Sequence, residues 1–362
     1  MNNDNLQNYL LIYSDCIVVN GIKNSIIHDL TRSDIHKIPA EYAGVIKAFS
    51  IQTLGEIKSS TSPNDWEQIE NFIAYILENK MGTFVNDLTL FPKLDLTWDS
   101  PTEVIRAIVD YKTGFSDYSI ESVFEQLNKL GCQDIEVRTY STFDNVFFEK
   151  LILLAEKHFI ASLEVVFKDD QQTSDEVLKS YILNHHVISK ITFTNSTTDN
   201  LVELNRGYVS IAFIIRSKAA IESHKSCGQI SATNMYIPNL DTFTENQTFN
   251  SCLNRKIGID VNGRIKNCPS MKKDYGHINE VGLQAAVNQP GFKQLWSITK
   301  NEIDVCKSCE FRQMCTDCRA YLKDNEDIYS QPLKCGYNPK TGTWTNWMRD
   351  ELNKKGISYY EL

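Results

Sequence analysis

Long apolar runs, a signal-like N-terminus and nucleotide-binding motifs are all missing from this sequence. The longest apolar stretches, such as residues 209–215, are far shorter than the ~20 residues that a transmembrane helix needs. No basic start precedes an apolar run at the N-terminus, so we expect neither a secretory signal nor a membrane contact and predict a cytoplasmic protein. The absence of G-x4-G-K-[ST], G-x-G-x-x-G and H-E-x-x-H excludes the phosphate-loop, dinucleotide-binding and zinc-protease classes that these motifs mark.

Glycine and proline are also sparse, at 16 and 9 of 362 residues, which excludes collagen-like and low-complexity chains. The hydrophobic fraction of 42% is instead sufficient for packed cores in two or three domains. The formal net charge of −9 argues against a nucleic-acid partner.

Residues 1–90 combine short strands with helices. Asn20-Gly21 predicts a hairpin turn, Pro39 is expected to open a helix, and Ser62 with Pro63 is expected to start a second helix. The predicted strands cover 9–13, 16–19, 25–30 and 83–85, and the predicted helices cover 40–49 and 63 to about 82. This order of elements predicts a small winged-helix-like module.

Residues 91–225 alternate between strand-like and helix-like patterns. The first strand starts recur every 28–31 residues, as βα units require. The predicted strands cover 104–109, 135–140, 163–167, 191–193 and 209–215, and the predicted helices cover 119–130, 145–158 and 175–183. Periodicity therefore predicts an α/β fold and leaves open whether the sheet is open or a partial barrel.

Residues 226–345 are rich in cysteine and show little regular patterning beyond a short helix at 290–296. Only Cys16 and Cys132 lie in residues 1–226, within apolar patterns that predict core packing, whereas eight cysteines lie in residues 227–335. Residues 252–335 also contain 13 Lys or Arg against 10 Asp or Glu, and nearby cations favour the deprotonated thiol. A surface helix and a strand are predicted after Trp344.

The eight late cysteines have the spacing of metal ligands. They are Cys227, Cys252, Cys268, Cys306, Cys309, Cys315, Cys318 and Cys335. A C-x2-C pair directs two thiolates at one metal centre, and eight thiolates divide into two four-sulfur sites. Zinc and [4Fe–4S] clusters both accept four thiolates, and the x2-x5-x2 series is unusual for a zinc ribbon. His277 is a less favoured alternative ligand.

The order and gaps of these cysteines resemble the SPASM domain, which follows the barrel of radical-SAM enzymes that modify peptides. Gly263-x4-Cys268 is similar to the Gly-x4-Cys element of that domain, and the segment from Cys309 to Cys315 also matches it. The family usually has three residues between the cysteines that correspond to Cys315 and Cys318, and this chain has two.

The resemblance implies two auxiliary [4Fe–4S] clusters with interleaved ligands. It implies that the ligands of the first cluster are Cys252, Cys268 and Cys318, with Cys227 where some members have an upstream fourth ligand. It implies that the ligands of the second cluster are Cys306, Cys309, Cys315 and Cys335.

The Cys-x3-Cys-x2-Cys triad of radical-SAM enzymes is missing from the chain. Without three such thiolates we expect no cluster that binds and cleaves S-adenosylmethionine, and so no S-adenosylmethionine. Residues 91–225 accordingly resemble a radical-SAM barrel that has lost its catalytic cluster, a degenerate partial (βα) barrel. The implied domains are 1–90, 91–225 and 226–345, followed by a tail at 346–362.

Over nearly the whole chain, this combination resembles the SPASM-domain peptide maturases of grasp-with-spasm systems. The resemblance implies that the chain helps to mature a ribosomally synthesised, post-translationally modified peptide together with an ATP-grasp ligase. It also implies that residues 1–90 recognise the leader of the precursor peptide, and an exposed strand edge is the expected binding surface. Whether the chain is an enzyme stays open. The alternatives are a non-enzymatic leader-peptide adaptor with zinc or clusters as structural staples, and a radical enzyme with another ligand set.

Overall fold

A computed structural model describes residues 3–207 and 211–362 of the chain. The first 90 residues place strands and helices around one apolar core. The strands are β1 (Tyr9–Ile12), β2 (Cys16–Asn20), β3 (Asn24–Asp29), β4 (Asp34–Pro39) and β5 (Gly82–Val85), and the helices are α1 (Tyr42–Phe49), α2 (Leu54–Ser60) and α3 (Pro63–Glu78). Strands β2, β3 and β4 form an antiparallel sheet, and β1 pairs with β5.

Local sequence signals explain part of this region. The hairpin predicted at Asn20-Gly21 is confirmed, because β2 and β3 pair on either side of it. Pro39 ends β4 instead of opening a helix, so that part of the prediction is wrong. The pattern also misses α2, which begins with a capping box between Thr53 and Glu56.

Helix α3 forms as predicted. The Ser62 side chain accepts a hydrogen bond from the Asp65 backbone N–H, and Pro63 occupies the first turn, where no N–H is needed. The buried face consists of Trp66, Ile69, Phe72, Ile73 and Ile76. This apolar stripe fixes the helix against the core of the module.

An eight-stranded, mostly parallel sheet forms the centre of the molecule and confirms the α/β class. Its strands are β6 (Arg106–Asp110), β7 (Asp134–Thr142), β8 (Ser162–Lys168), β9 (Ile188–Thr194), β10 (Asn200–Asn205), β11 (Ile211–Arg216), β12 (Lys256–Ile259) and β13 (Ile265–Lys266). Three helices alternate with the early strands, namely α4 (Ile120–Lys129), α5 (Asn145–Lys157) and α6 (Asp175–Asn184). Residues 209 and 210 of the strand predicted at 209–215 lie outside the described residues.

The sheet is open within the described residues and does not close into a barrel. Its strand order is β10-β11-β9-β8-β7-β6-β12-β13. Strand β12 runs parallel to β6, and β13 returns antiparallel to β12. The first cysteine-rich hairpin is thus an extension of the central sheet beyond β6, across the boundary predicted at residue 225.

The rest of the cysteine-rich region has little regular structure. It contains α7 (Leu240–Thr248), α8 (Leu283–Val287), a short 3-10 helix at Phe292–Ser297, and a small hairpin of β14 (Tyr337–Asn338) and β15 (Thr343–Trp344). The tail ends with α9 (Lys354–Tyr360), as expected, but the described residues after Trp344 form no strand. None of the helices in residues 3–207 and 211–362 is both long enough and apolar enough to cross a membrane.

The N-terminal sheet packs against α7. Val19 and Leu30 contact Phe243 in a small buried cluster, and the ring of His28 lies 5.2 Å from the Phe243 ring. Burial, followed by the nearby charge of Arg312, lowers the pKa of His28 to about 4. An apolar contact therefore fixes residues 1–90 to the cysteine-rich region.

Candidate metal centres

None of the eight late cysteines forms a disulfide, and we describe them in the two groups that the resemblance implies. We call Cys227, Cys252, Cys268 and Cys318 the first quartet, and Cys306, Cys309, Cys315 and Cys335 the second quartet. Burial is the largest cause of the raised thiol pKa values in both groups, and further increases come from thiols of the same group. Within each group, thiols therefore influence one another, and the assignment of the eight cysteines as ligands stays a prediction.

The β12–β13 hairpin presents two thiols of the first quartet. Cys252 precedes β12 and Cys268 follows β13, so the pairing of these strands brings the two cysteines together. Gly258 in β12 allows a close approach, because a Cβ there would lie 2.5 Å from Pro269 Cδ. Burial raises the pKa of the Cys268 thiol to about 11.

The other two thiols reach the first quartet from loops. Gly228 has a φ of +81°, and a Cβ at this residue would lie 2.7 Å from Cys318 Sγ, so the backbone beside Cys227 passes directly over Cys318. Much of the Cys227 residue is accessible to solvent, but its thiol lies in desolvated surroundings that raise its pKa. Burial and the thiols of Cys252 and Cys227 hold the pKa of Cys318 well above its usual value.

The second quartet is built from a tight turn and a returning loop. Cys306 begins a single-turn 3-10 helix, and the Cys309 backbone N–H donates to the Cys306 carbonyl at 2.9 Å. Cys335 joins from just before β14 and forms a parallel bridge with Ile230. This bridge places the segment that contains Cys335 beside the segment that follows Cys227.

Backbone N–H groups support several of these sulfurs. In four cases, the backbone N–H two positions after a cysteine donates to its sulfur and lowers the thiol pKa. The pairs are Phe311 with Cys309, Asp317 with Cys315, Ala320 with Cys318, and Tyr337 with Cys335. Hydrogen bonds to sulfur favour the thiolate and tune a metal centre. Cys132 has the same local contact with Asp134 but no other cysteine of the chain beside it in the sequence, so this contact alone does not mark a ligand.

Two lysines lie beside the first quartet, of which Lys334 is buried and Lys256 is half-buried. Lys256 Nζ lies 3.5 Å from Cys252 Sγ, and three thiols of this quartet outweigh desolvation and raise the pKa of Lys256. Lys334 is almost fully buried, donates to the Cys227 carbonyl at 2.9 Å, and lies 3.9 Å from the centre of the Tyr321 ring. A site that gathers several negative sulfurs is stabilised by such charges.

The second quartet has buried carboxylates as well as cations. Asp317 is fully buried and forms an ion pair with Arg319 at 2.6 Å, and it accepts a hydrogen bond from Asn250 at 2.7 Å. Glu310 is also fully buried and accepts from the Tyr337 hydroxyl at 2.5 Å. Lys300, buried and hydrogen-bonded to Ser251, lowers the pKa of the Cys315 thiol, which burial raises to about 12.

The spacing of the cysteine sulfurs would differ between a site for a zinc ion and a site for a four-iron cluster. Among residues 3–207 and 211–362, no set of three or more Cys, His, Asp or Glu side chains converges closely enough to hold a single metal ion. Thiols within each quartet nevertheless influence one another's pKa. A zinc ion needs its sulfurs about 2.3 Å away, whereas a four-iron core separates its four thiolates more widely. Thiolates are donors that both groups accept, and the identity of the bound group stays a prediction.

The carboxyl ends of the parallel strands contain an ion-pair network. Asp110 at the end of β6 pairs with Arg138 at 2.6 Å, and the Tyr140 hydroxyl donates to the same carboxylate at 3.0 Å. A cavity of about 270 Å³ opens beside Asp110 and Tyr140 and reaches Lys168 and His224. Charged and aromatic side chains therefore occupy this end of β6.

The remaining singled-out residues have structural roles. Cys16 and Cys132 are buried in apolar cores, and burial raises the pKa of both thiols to about 12, which confirms the packing prediction. His277 Nε2 lies 3.3 Å from Asp117 and its Nδ1 accepts the Asn279 backbone N–H. Both ring nitrogens are engaged, so the alternative in which His277 replaces a thiol finds no support.

Sequence reasoning missed the individual buried charges. Lys256, Lys300 and Lys334 were not singled out, although the positive balance of residues 252–335 predicts cations near the thiols. Lys256 lies four residues after Cys252, and Lys334 directly precedes Cys335. This proximity to cysteine in the sequence is the signal that would have found them.

Comparison with known proteins adds little. No protein family matches this chain. No curated protein matches it either. Among solved structures, the chain is similar to SuiB from Streptococcus suis, with 10% sequence identity, coverage of 89% of this chain and 98% of that chain, and a TM-score of 0.34. Similarity of this degree carries no conclusion about the function of this chain.

Proposed function

We propose that this chain is an iron–sulfur protein that takes part in maturing a ribosomally synthesised peptide together with an ATP-grasp ligase. The observation that carries the proposal is the grouping of eight late thiols into two quartets with interleaved ligands. The desolvated surroundings of these thiols and the lysines beside them support two [4Fe–4S] clusters. Such clusters, when bound, supply structural bracing or electron relay.

The two quartets are proposed to hold these clusters with full thiolate ligation. Four protein thiolates leave no iron open for a substrate, which favours bracing or electron transfer over substrate binding. Lys256 and Lys334 stabilise the thiolates of the first quartet, and Lys300 does so at the second. The chain contributes the ligands, their charge compensation and their shielding from water.

The N-terminal module is proposed to bind the leader of the precursor peptide. Strand β2 pairs only with β3 among the described residues, so its other edge is open to an added strand. A groove of about 460 Å³ follows this edge and is bordered by Leu11 of β1 and Val18 of β2 on one side and by Ala43 and Ile46 of α1 on the other. An extended peptide in this groove gains backbone hydrogen bonds from β2 and side-chain contacts from α1.

Metal analysis of the anaerobically purified chain tests the cluster proposal. We expect a brown protein with about eight irons and eight acid-labile sulfides per chain. About two zinc ions per chain in a colourless protein would reject the clusters and leave only a zinc-stapled protein. An eight-iron result with no reaction of S-adenosylmethionine is also expected, because the triad is missing.

Peptide binding to the full chain tests the recognition proposal. A fluorescent leader peptide should bind the wild type, and Ala43→Trp should weaken binding at least tenfold by filling the groove. Gly44→Ala is the matched control, because a Cβ at Gly44 meets nothing within 4 Å. Equal binding by Ala43→Trp and the wild type would remove the groove from the proposal.

A non-enzymatic adaptor is the second candidate function. The observation that favours it is the Asp110–Arg138 ion pair at the carboxyl end of β6, which occupies the part of the sheet where a radical enzyme places its reactive cluster. Such an adaptor would present the precursor to the ligase, and ligase activity would depend on binding to this chain but not on reduction of its clusters. Ligase turnover with oxidised and dithionite-reduced protein separates the two candidates.

A further inference from the structure

We propose that the second quartet, when it holds its metal, clamps the N-terminal module through the β2–β3 turn. The metal state of this quartet would then set how firmly the module is held against the rest of the chain. The inference rests on the proposed function only in requiring that the second quartet binds a metal. It concerns residues 20–24 of the turn and residues 306–315, which we call the cysteine loop.

Direct hydrogen bonds join the turn to the cysteine loop. The Ile22 backbone N–H donates to the Ser308 carbonyl at 3.1 Å. Arg312 Nη1 donates to the Asn20 carbonyl and also to the Cys309 carbonyl, the latter at 3.0 Å. One guanidinium group thus connects the tip of the N-terminal hairpin to the backbone of a second-quartet cysteine.

The turn also fits the cysteine loop sterically. Gly21 approaches so closely that a Cβ would lie 2.9 Å from the Glu310 backbone nitrogen. The Asn24 side chain donates to Glu310 Oε1 at 3.2 Å, and the same oxygen accepts from Tyr337. Glu310 is fully buried, so these hydrogen bonds lie at the centre of the contact and not at its edge.

The cysteine loop has little structure of its own. Its one regular element is the single turn at Cys306–Ser308, and it forms no strand. Cys306, Cys309 and Cys315 lie at its start, middle and end, so a metal group that binds all three fixes the shape of the whole loop. Loss of that group releases the surface on which the turn rests.

A second contact keeps the module attached when the turn is released. The apolar cluster of Val19, Leu30 and Phe243 lies outside the cysteine loop and involves none of the thiols. Metal loss at the second quartet is therefore expected to loosen the turn locally while the sheet stays packed against α7. This distinction makes the proposal testable without unfolding the protein.

Hydrogen exchange of the anaerobically loaded full chain provides the test. The reporter is the Ile22 amide, whose hydrogen bond partner is Ser308. In Cys309→Ser, we expect this amide to exchange at least tenfold faster than in the wild type, while the amides of α3 keep their protection. In the matched variant Cys252→Ser, which affects the first quartet, we expect Ile22 to keep its wild-type exchange rate.

The variant Arg312→Met removes hydrogen bonds between the turn and the cysteine loop without removing a metal ligand. This variant keeps every thiol, so iron content should stay at the wild-type value while Ile22 exchange rises as in Cys309→Ser. Unchanged Ile22 exchange in Cys309→Ser, with iron content halved, would overturn the clamp and leave the proposed function standing. A wild-type chain that binds no metal would overturn the proposed function and the clamp with it.

Discussion

The two quartets offer the same four donors in contrasting surroundings. The first is attached to the central sheet by the β12–β13 hairpin and is flanked by Lys256 and Lys334. The second lies in loops and has two fully buried carboxylates, Asp317 and Glu310, close to its thiols. Equal ligand sets therefore give unequal electrostatic environments.

This contrast predicts different affinities for an electron. At the second quartet, Asp317 and Glu310 are balanced by the cations Arg319 and Lys300. At the first quartet, Lys256 and Lys334 are opposed by Glu136 alone among the carboxylates that act on its thiols. The surroundings of the first quartet are therefore the more positive, and we expect the first cluster to be the more easily reduced.

The largest expected effects come from removing one thiol from either quartet. Cys268→Ser and Cys306→Ser should each lose about four of eight irons, because each disrupts one cluster. The melting temperature should fall further for Cys306→Ser, since the cysteine loop lacks the support that β6 gives to β12. Cys16→Ala, in the apolar core, is the control and should keep all of its iron. Equal melting temperatures for the two Ser variants would contradict the idea that the central sheet supports the first quartet better than loops support the second.

Removing the Asp317 charge tests the carboxylates of the second quartet. Asp317→Asn leaves Arg319 buried beside a neutral amide, and such losses cost about 3–5 kcal/mol of unfolding free energy. Asp304→Asn is the matched surface control, because its pair with Lys307 is exposed and contributes about 0–1 kcal/mol. Denaturant unfolding of the loaded proteins measures both. A loss below about 1 kcal/mol for Asp317→Asn would show that the ion pair does not stabilise this region.

Acid is expected to destabilise the protein through protonation of His28, which lies near Arg312 of the cysteine loop. Burial and Arg312 lower the pKa of His28 from 6.5 to about 4, so the unfolded chain binds this proton first as pH falls. The stabilising contribution is complete above pH 6.5 and is lost between pH 6.5 and 4, by about 3 kcal/mol. His28→Phe should flatten this part of the stability profile. An identical pH dependence in the variant would remove His28 as the cause.

The smallest expected effect is on reduction potential. Lys256→Met should lower the potential of the first cluster by roughly 60 mV, equivalent to a tenfold weaker affinity for one electron. Lys300→Met should lower the second potential instead, because Lys300 acts on Cys315. Redox titration followed by electron paramagnetic resonance measures both. A shift of the same cluster in both variants would contradict the assignment of one lysine to each quartet.

The sequence predicts most of the central fold but little of the contacts that complete the site. The strands and helices from β6 to β9 follow from their apolar periods, because each buries one regular face in a local unit. Strand β10 was not predicted, since its residues are mostly exposed. It is held by pairing with β11 and by the packing of Val202 and Leu204 against the central core. Helix α7 was also missed, because its apolar contact is formed chiefly by Phe243 with the distant N-terminal sheet.

In the candidate site, too, some features have a local sequence signal and others depend on contacts between distant residues. The membership of the two quartets comes from the resemblance, which depends on the order of cysteines along the chain, and it stays a prediction. The pairing of Asp110 with Arg138, 28 residues apart, depends on adjacent parallel strands and leaves no local signal. Contacts such as Arg312 with Asn20 join residues 292 positions apart and depend on how whole regions pack.

The interleaving of the quartets has a consequence for assembly. Cys315 and Cys318 are separated by two residues but are assigned to different quartets, so one short turn of backbone would carry a ligand for each of the two proposed cores. Whichever core is inserted first would hold that turn in place for the second. Each core keeps three further ligands elsewhere in the chain, so the second insertion would be assisted by the first without depending on it.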